Sequence, residues 1–503
     1  MSPRRWDTAA TCLLWWAIGG LAIAWLSAAA APSYALFRWI PNGYNEGWNA
    51  YWAEVAWHGG QLYPAVDSPV SNNYPPLSFY IVGALGSLIG DNIFAGRLLA
   101  LISLLAVAVN VYAWLRINRA RRPDAVFGAA LFLAAFAMYA PAYMTMNDPQ
   151  LLAHAVMMTS AVVLWRFGFS PRALSAAAVL MVAAGLVKHL LIALPLAVTG
   201  WIGIYRTELL VRWLITSMSL LAVALAALYL TQGVIFFHDL ASSRLYSREL
   251  VKAGIRHVRE TFGFLVLLSG ALGVAFVSRA RGRAIREPAI REPAAFVALY
   301  FVLAAAIGAL AAGGKGVDRN AFFDLLIAAS LAVALAVDHL RRLRARPMIG
   351  AVIAGVSCAV FVVMGGQQWP TRLQMLRQTH EREAAAIQVI DDIRRLGGGT
   401  AACEELSLCY WAGSAFKVDF FNYGQKLATS ALPPADCTAT FTAKSISLVQ
   451  VNSPPGEPRV SFRLPPSCNA AITRAYSLDV KNPQGRLMLP ARESTNKTRR
   501  HAG

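Results

Sequence analysis

Between residues 8 and 365 the sequence is a succession of apolar runs separated by short polar or arginine-rich loops. Each run is about 18 to 22 residues long, the length that crosses a bilayer core as a helix. Within hydrocarbon every backbone amide must find its partner inside the segment, so such runs leave the chain few choices besides a bundle of spanning helices. Composition agrees: 57% of the 503 residues are hydrophobic and 15% are charged, where a soluble domain is about a quarter charged. The mean hydropathy is +0.47. The net charge of +19, from 46 Lys+Arg against 27 Asp+Glu, would draw nucleic acid to a soluble protein. In a membrane chain it has a simpler origin, since basic loops set orientation. No nucleic-acid partner follows from it. The fold class expected is an all-α polytopic membrane protein.

Charge also fixes the expected topology. Arg4 and Arg5 precede a first span at about 8–31, whose apolar core is longer than that of a signal peptide, so it is read as retained with its N-terminus inside. The loop carrying Arg116, Arg119, Arg121 and Arg122 must also be inside, which permits one crossing before it. A short partial helix at about 76–89 leading into a span at about 94–115 meets that condition. Further spans follow at about 125–143, 150–166, 211–230, 261–278, 294–312, 321–338 and 348–365, with two more inside 173–205, divided near Lys188-His189. These give about eleven spans, with every arginine-rich loop on one side. The pentapeptide AIREP occurs in tandem from Ala284 to Pro293, and no larger repeat is visible, which weighs against a transporter built of two related halves.

The predicted organisation is a membrane core over 1–365 with an outer loop over 32–75, a small C-terminal α/β domain over 366–485, and a disordered tail over 486–503. Alternating runs such as SISLVQV and RVSFRL suggest strands in the C-terminal domain. Four of the six cysteines lie there: Cys403, Cys409, Cys437 and Cys468. On the expected topology they face an oxidising compartment, which favours disulfides, paired by proximity as Cys403–Cys409 and Cys437–Cys468. A zinc site is the rival, without a C-x-x-C pair to support it. The tail contains an Asn496-Lys-Thr sequon.

Outside the arginine loops, ionisable and amide groups gather on the outer side: Asn45, Glu46, Glu54, His58, Asp67, Asp148, Lys188, His189, His238, Asp239, Arg244, Lys315, Asp318 and Arg319. Such groups near a bilayer are costly and tend to face cavities or partners. The densest stretch is PNGYNEGWNAYWAEVAWHGGQLYP, Pro41 to Pro64. With the residues up to Ala100 it shows, in order, Asn45-Glu46, an aromatic helix from Trp48 to His58, a Gly60-to-Pro64 turn, Tyr74-Pro75-Pro76-Leu77 with Tyr80, and Gly90 to Arg97. This order resembles the first outer loop of the lipid-dependent GT-C membrane glycosyltransferases, in the bacterial branch of aminoarabinose transferases and protein O-mannosyltransferase-like enzymes. The NDP at Asn147 to Pro149, GLVKHLLIALP and GKGVDRNAFFD resemble further segments of such enzymes.

The resemblance implies inverting transfer of a sugar from a polyprenyl-phosphate-linked donor to a glycan, lipid or protein acceptor, at the periplasmic face of a bacterial inner membrane, with the N-terminus cytoplasmic and the C-terminal domain periplasmic. That chemistry needs a carboxylate for the acceptor's proton and a cation for the leaving phosphate. Where the family has an Asp-Glu pair this chain has Asn45-Glu46, and an amide takes no proton, so the base role passes to Glu46. Asp148 orients the acceptor or shares the task; the two carboxylates are equally the hard ligands a divalent cation takes. Lys188 is the first candidate for the phosphate, followed by Arg244 and Lys315. Asn45, His58, Tyr74, Tyr80, His189 and Asn320 are expected to line the acceptor and lipid side.

Plainer roles compete at several of these positions. The Trp48–Trp52–Val55 stripe is suited to lying against lipid. Glu54 and His58 stand at i, i+4 and suit a solvated pair; Asp148 suits a helix cap; Lys188 suits a snorkelling lysine; Asp318-Arg319 suits an ordinary loop pair. At the level of function, a transporter or flippase for a lipid-linked sugar, or a GT-C scaffold without activity, stands beside the enzyme.

Overall fold

The computed structural model describes residues 3–490 apart from 243, 282–287, 344–346, 444, 455–456, 458 and 483–484. Part of the AIREP tandem and residues 491–503, with the sequon, lie outside the described residues. The chain forms two compact units. The first comprises residues 1–38, 52–63 and 73–379; the second gathers 39–51, 64–72 and 380–503.

The helices run in order α1 (Pro3–Tyr34), α2 (Tyr44–Trp57), α3 (Leu77–Ile89), α4 (Asn92–Ile117), α5 (Arg122–Tyr139), α6 (Gln150–Arg166), α7 (Pro171–Val187) and α8 (Ala193–Tyr205). They continue with α9 (Thr207–Gln232), α10 (Val234–Leu240), α11 (Arg248–Thr261), α12 (Gly263–Arg281), α13 (Pro288–Ala311), α14 (Phe323–Arg342) and α15 (Pro347–Arg377). Among the described residues seven helices are long and apolar enough to cross a membrane: α1, α4, α5, α9, α13, α14 and α15. Shorter apolar helices lie over Leu77–Ile89, Pro171–Val187, Ala193–Tyr205 and Gly263–Gly273.

Local sequence explains the breaks. Gly90 ends α3 in the left-handed region (φ 91°), donating its N–H to the Gly86 carbonyl, a conformation that costs glycine little. Asp91 follows as N-cap of α4, its carboxylate accepting the Ile93 and Phe94 N–H groups. Ser170 and Pro171 start α7 in the same manner. In the first unit α1 packs on α15 and α5, α6 on α4 and α7, and α13 on α14 and α8. The fully buried Trp114 and Trp201 anchor its core. Arg97 on α4 donates to the Ala35, Leu36 and Arg38 carbonyls, satisfying the chain where it leaves α1.

Two of the arginine-rich segments, around Arg119–Arg121 and around Arg341–Arg342, meet in this unit. Arg341 pairs with the buried Asp124 at 2.6 Å and reaches Thr11 at 2.7 Å, joining α14, α5 and α1. Arg342 pairs with Asp338 at 2.8 Å and donates to the Arg119 carbonyl. Buried charges persist only when paired and hydrogen-bonded, and this network meets that condition.

The second unit holds a mixed four-stranded sheet, ordered β1 (Ala401–Cys403), β2 (Leu448–Val451), β4 (Gly485–Pro490), β3 (Tyr476–Asn482). The β1–β2 pair is parallel and the other two pairs are antiparallel. β4 carries the domain past residue 485, where the tail was expected to begin. Around the sheet pack α16 (Thr379–Gly397), α17 (Leu406–Trp411), α18 (Phe420–Ala428), α19 (Pro434–Thr442) and α20 (Pro466–Ala475). Cys403 is bonded to Cys409 and Cys437 to Cys468.

What draws residues 39–51 and 64–72 into this unit is the buried Asp419. Its carboxylate accepts the Trp48 indole N–H at 2.9 Å, the Asn422 N–H at 2.9 Å and the Tyr44 hydroxyl, and its own N–H donates to the Pro69 carbonyl at 2.9 Å. Gly47 sits so close to the first turn of α17 that a Cβ there would fall 2.3 Å from the Leu406 carbonyl carbon and the Ser407 nitrogen. Helix propensity alone makes Gly47→Ala stabilising by about 1 kcal/mol. The backbone contact reverses the sign, and a net loss of roughly 1–3 kcal/mol is expected. Hydrogen exchange over residues 401–411 measures it; slower exchange in the variant contradicts this packing.

Candidate functional site

In the first unit the functional side chains stand where helices break. α7 stops at Val187 and α8 begins at Ala193, and Lys188 caps α7 in extended conformation. Lys188 is buried, at 2% exposure, and its Nζ lies 3.3 Å from the centroid of the Tyr74 ring. A cation over an aromatic face gains about 0.5–2 kcal/mol, more when desolvated, so this lysine is held in place instead of reaching for water. Next to it, His189 is lowered to a pKa of about 4, first by burial, then by the fields of Lys188 and Arg244. It is neutral at physiological pH, and its Nδ1 has no hydrogen-bond partner. Lys188 and Arg244 therefore both act on the space around His189.

Arg244 is tied to Lys315 by a short antiparallel bridge between Tyr246 and Gly314. Ser247 N–H donates to the Gly313 carbonyl, Lys315 N–H to the Leu245 carbonyl, and Arg244 Nη1 to the Lys315 carbonyl at 3.4 Å. Three cations distant in sequence thus come from a helix break and two paired loops.

The carboxylates come from two other breaks. Asp148 follows the 3-10 turn Pro141–Met144, and its Oδ1 accepts the Gln150 N–H at 2.9 Å, so it caps α6. Asp318 precedes the 3-10 turn Arg319–Phe322 and accepts the Tyr143 hydroxyl at 3.2 Å. Burial, then Asp148, Asp318 and Tyr74, push the Tyr143 hydroxyl well above its ordinary value, so it stays a proton donor. Tyr143 is the point where both carboxylates and Tyr74 act together. Asn320 donates to Gln150 Oε1 at 3.5 Å, and Arg319 to the Tyr139 carbonyl at 3.3 Å. Tyr143 and Asp318 complete a site that sequence reading had not assembled. Tyr143 lay at the end of an apolar run and Asp318 in what suited an ordinary loop pair.

The remaining expected positions have the following surroundings, each within its own unit. His58 is exposed and pairs with Glu54 at 3.3 Å, the solvated i, i+4 arrangement. Glu54 also accepts the Asn92 amide at 2.8 Å. Tyr80 is exposed. Asn45 and Glu46 belong to the second unit. There the Asn45 carbonyl accepts the Asn49 side chain at 2.8 Å, and the fully buried Glu46 accepts the Asn42 N–H at 2.9 Å, at the start of its own helix. Negative charge at that end is favoured by the helix dipole. Near it, Arg463 stands 3.6 Å from Glu404 and over the Tyr44 ring. Among the described residues no three His, Cys, Asp or Glu side chains group as metal ligands.

No protein-family model matches the sequence, and no curated protein matches it. Solved structures do. ArnT from Cupriavidus metallidurans bound to undecaprenyl phosphate superposes with a TM-score of 0.59 at 12% identity, over 95% of this chain and 98% of that one. The same protein in the apo state gives 0.57 at 13%, over 94% and 97%. The Archaeoglobus fulgidus oligosaccharyltransferase, tethered to an acceptor peptide containing the NVT sequon, gives 0.50 at 12%, over 95% of this chain and 74% of that one. The chain has the GT-C fold.

In the second unit, Glu405 has its pKa raised to about 7, chiefly by burial, with Arg463 opposing and Glu46 adding to the shift. A carboxyl raised on folding holds its proton more tightly in the native state. Its stabilisation is complete below its unfolded pKa, near 4.5, and is lost as pH rises through about 7. The span is on the order of 3 kcal/mol. Glu405→Gln removes the titrating group, so the unfolding midpoint of the variant is expected to vary less than that of the wild type between pH 5 and about 8. Thermal unfolding over that range checks this, and equal pH slopes in both proteins contradict it.

Proposed function

We propose that this protein is a membrane glycosyltransferase that moves a sugar from a polyprenyl-phosphate-linked donor to a cell-envelope acceptor, with inversion, at the periplasmic face of a bacterial inner membrane. The observation that carries the reading is that one unit of a GT-C fold holds both a buried lysine and a half-buried arginine acting on a neutral histidine, and two carboxylates acting on one tyrosine. A neighbour of the same fold holds undecaprenyl phosphate, the chemical class of leaving group that such cations suit.

In this reading the acceptor's nucleophilic atom attacks the anomeric carbon while the bond from that carbon to the phosphate oxygen breaks. The electron pair leaves with the phosphate, whose growing charge is met by Lys188 and Arg244. A lysine already desolvated and fixed over Tyr74 needs little rearrangement to do so. The acceptor's proton passes to Asp148. Tyr143, held protonated, donates toward the carboxylates and keeps their spacing. His189, being neutral, leaves room for the phosphate's charge without adding a third full cation.

Glu46, the base expected from sequence order, accepts the Asn42 N–H at 2.9 Å as Asp148 accepts the Gln150 N–H at 2.9 Å; the reading puts the proton on Asp148 because it shares a unit with Lys188 and acts on Tyr143. Transfer of labelled sugar from a synthetic polyprenyl-phosphate donor tests the assignment. Asp148→Asn is expected to lower kcat by about 100-fold or more, and Lys188→Met by a factor on the order of 100. If Glu46→Gln shows that loss while Asp148→Asn does not, the base is Glu46. If the wild type transfers no sugar from any polyprenyl-phosphate donor, the enzyme reading fails.

A further inference from the structure

Beneath Asp148 and Asp318 the helical unit buries a second set of polar groups that the proposed reaction leaves unused. α6 presents Gln150 and His154 one turn apart; the opposing strand of chain presents Asn320 and, on the first turn of α14, Asp324. They meet as two rungs. Asn320 donates to Gln150 Oε1 at 3.5 Å, and His154 Nε2 lies 3.6 Å from Asp324 Oδ1. Tyr300 of α13 closes the lower rung, its hydroxyl donating to the same Asp324 oxygen at 2.5 Å. The Phe323 ring covers His154 with centroids 5.8 Å apart.

The hydrogen bonds fix where protons stand. His154 Nδ1 lies 2.8 Å from the Gln150 carbonyl, which only accepts, so Nδ1 carries hydrogen. A neutral ring would then aim the lone pair of Nε2 at a carboxylate oxygen. The residue is 1% exposed, and Nε2 has no hydrogen-bond partner to compensate. With a proton on Nε2 the contact becomes an attractive ion pair. The Asp324 oxygen, already accepting from Tyr300, is suited to the anionic role.

We infer that His154 and Asp324 form a proton-loaded ion pair inside the helical unit, and that this pair fixes α6 against α14 and so positions Asp148 and Asp318. An ion pair in an apolar interior is a poor source of stability. Its best-attested use is to fix register, and a one-turn slip here would leave both charges unpaired. Among the described residues the titratable group paired with His154 is Asp324 from α14, and Tyr300 from α13 reaches the pair through Asp324; Gln150 and Asn320 are neutral.

The test is nitrogen-15 NMR of the histidine rings in the full chain in lipid nanodiscs, with the His154 signal assigned by its loss in His154→Gln. Both ring nitrogens are expected to be protonated at neutral pH, as the contacts of Nδ1 and Nε2 require. In Asp324→Asn the ring is expected to become neutral with hydrogen on Nδ1. A neutral ring in the wild type overturns the inference, as does an imidazolium that survives Asp324→Asn. The positioning role rests on the glycosyl-transfer reading and has its own arm. His154→Gln and Asp324→Asn are each expected to lower kcat by about 10- to 100-fold with donor KM nearly constant, and Asp324→Glu to recover part of the loss. Unchanged kcat in both variants, with Asp148→Asn inactive, overturns the positioning role and leaves the reading intact. A wild type without transfer activity defeats the reading, while the NMR result stands by itself.

Discussion

A membrane-length helix satisfies its own amide hydrogen bonds, and in hydrocarbon no other arrangement of a single segment does. This constraint decides where polar chemistry can stand in the helical unit. The chain leaves backbone groups free only where a helix stops, and each stop must be closed by local partners, so polar side chains collect there. The breaks at 140–149, 188–192 and 312–322 supply Tyr143, Asp148, Lys188, His189, Asp318 and Arg319. Asp148 shows the economy of the arrangement: one oxygen caps α6, and the same carboxylate acts on Tyr143. Closing a helix start and holding a neighbouring hydroxyl protonated are two uses of one negative charge.

Electrostatics in this unit sorts by sign. Burial, helped by the fields of Lys188 and Arg244, keeps His189 neutral, and burial, helped by Asp148 and Asp318, keeps Tyr143 protonated. Tyr74 belongs to both neighbourhoods, with Lys188 on its face and Tyr143 within its field. Two titratable groups are thereby held in neutral forms, chiefly by burial and secondarily by fields of opposite sign. The Asp124–Arg341 and Asp338–Arg342 pairs have each charge matched within the fold, so that network is built for register and orientation.

Much of the helical architecture was legible in the sequence because length and hydropathy are local properties. The short helix before α4, the division at Lys188 and the position of Asp148 before α6 all follow from Gly, Asp and Pro signals near the break. The rest depends on contacts that no local pattern encodes. Tyr143 and Asp318 are 175 residues apart, and Tyr44 and Asp419 are separated by 375. His154 and Asp324 were invisible for a different reason: each is a single polar residue inside a run that averages out as apolar. Glu46 illustrates the limit of motif order, since a place in a recognised series says nothing about which neighbour the carboxylate will choose.

The make-up of the second unit also shapes how the protein comes into being. Residues 39–51 are synthesised long before their partners, since Tyr44, Gly47 and Trp48 are completed by Asp419 and by Leu406 and Ser407 at the start of α17. Contacts of such sequence separation close late and slowly. Throughout synthesis of the intervening helices the early aromatic segment must wait without its partners, a period in which exposed apolar surface invites misassembly. The C-terminal domain is therefore a folding requirement of the N-terminal loop: a nascent chain halted before residue 400 would have its helices and still lack a finished loop.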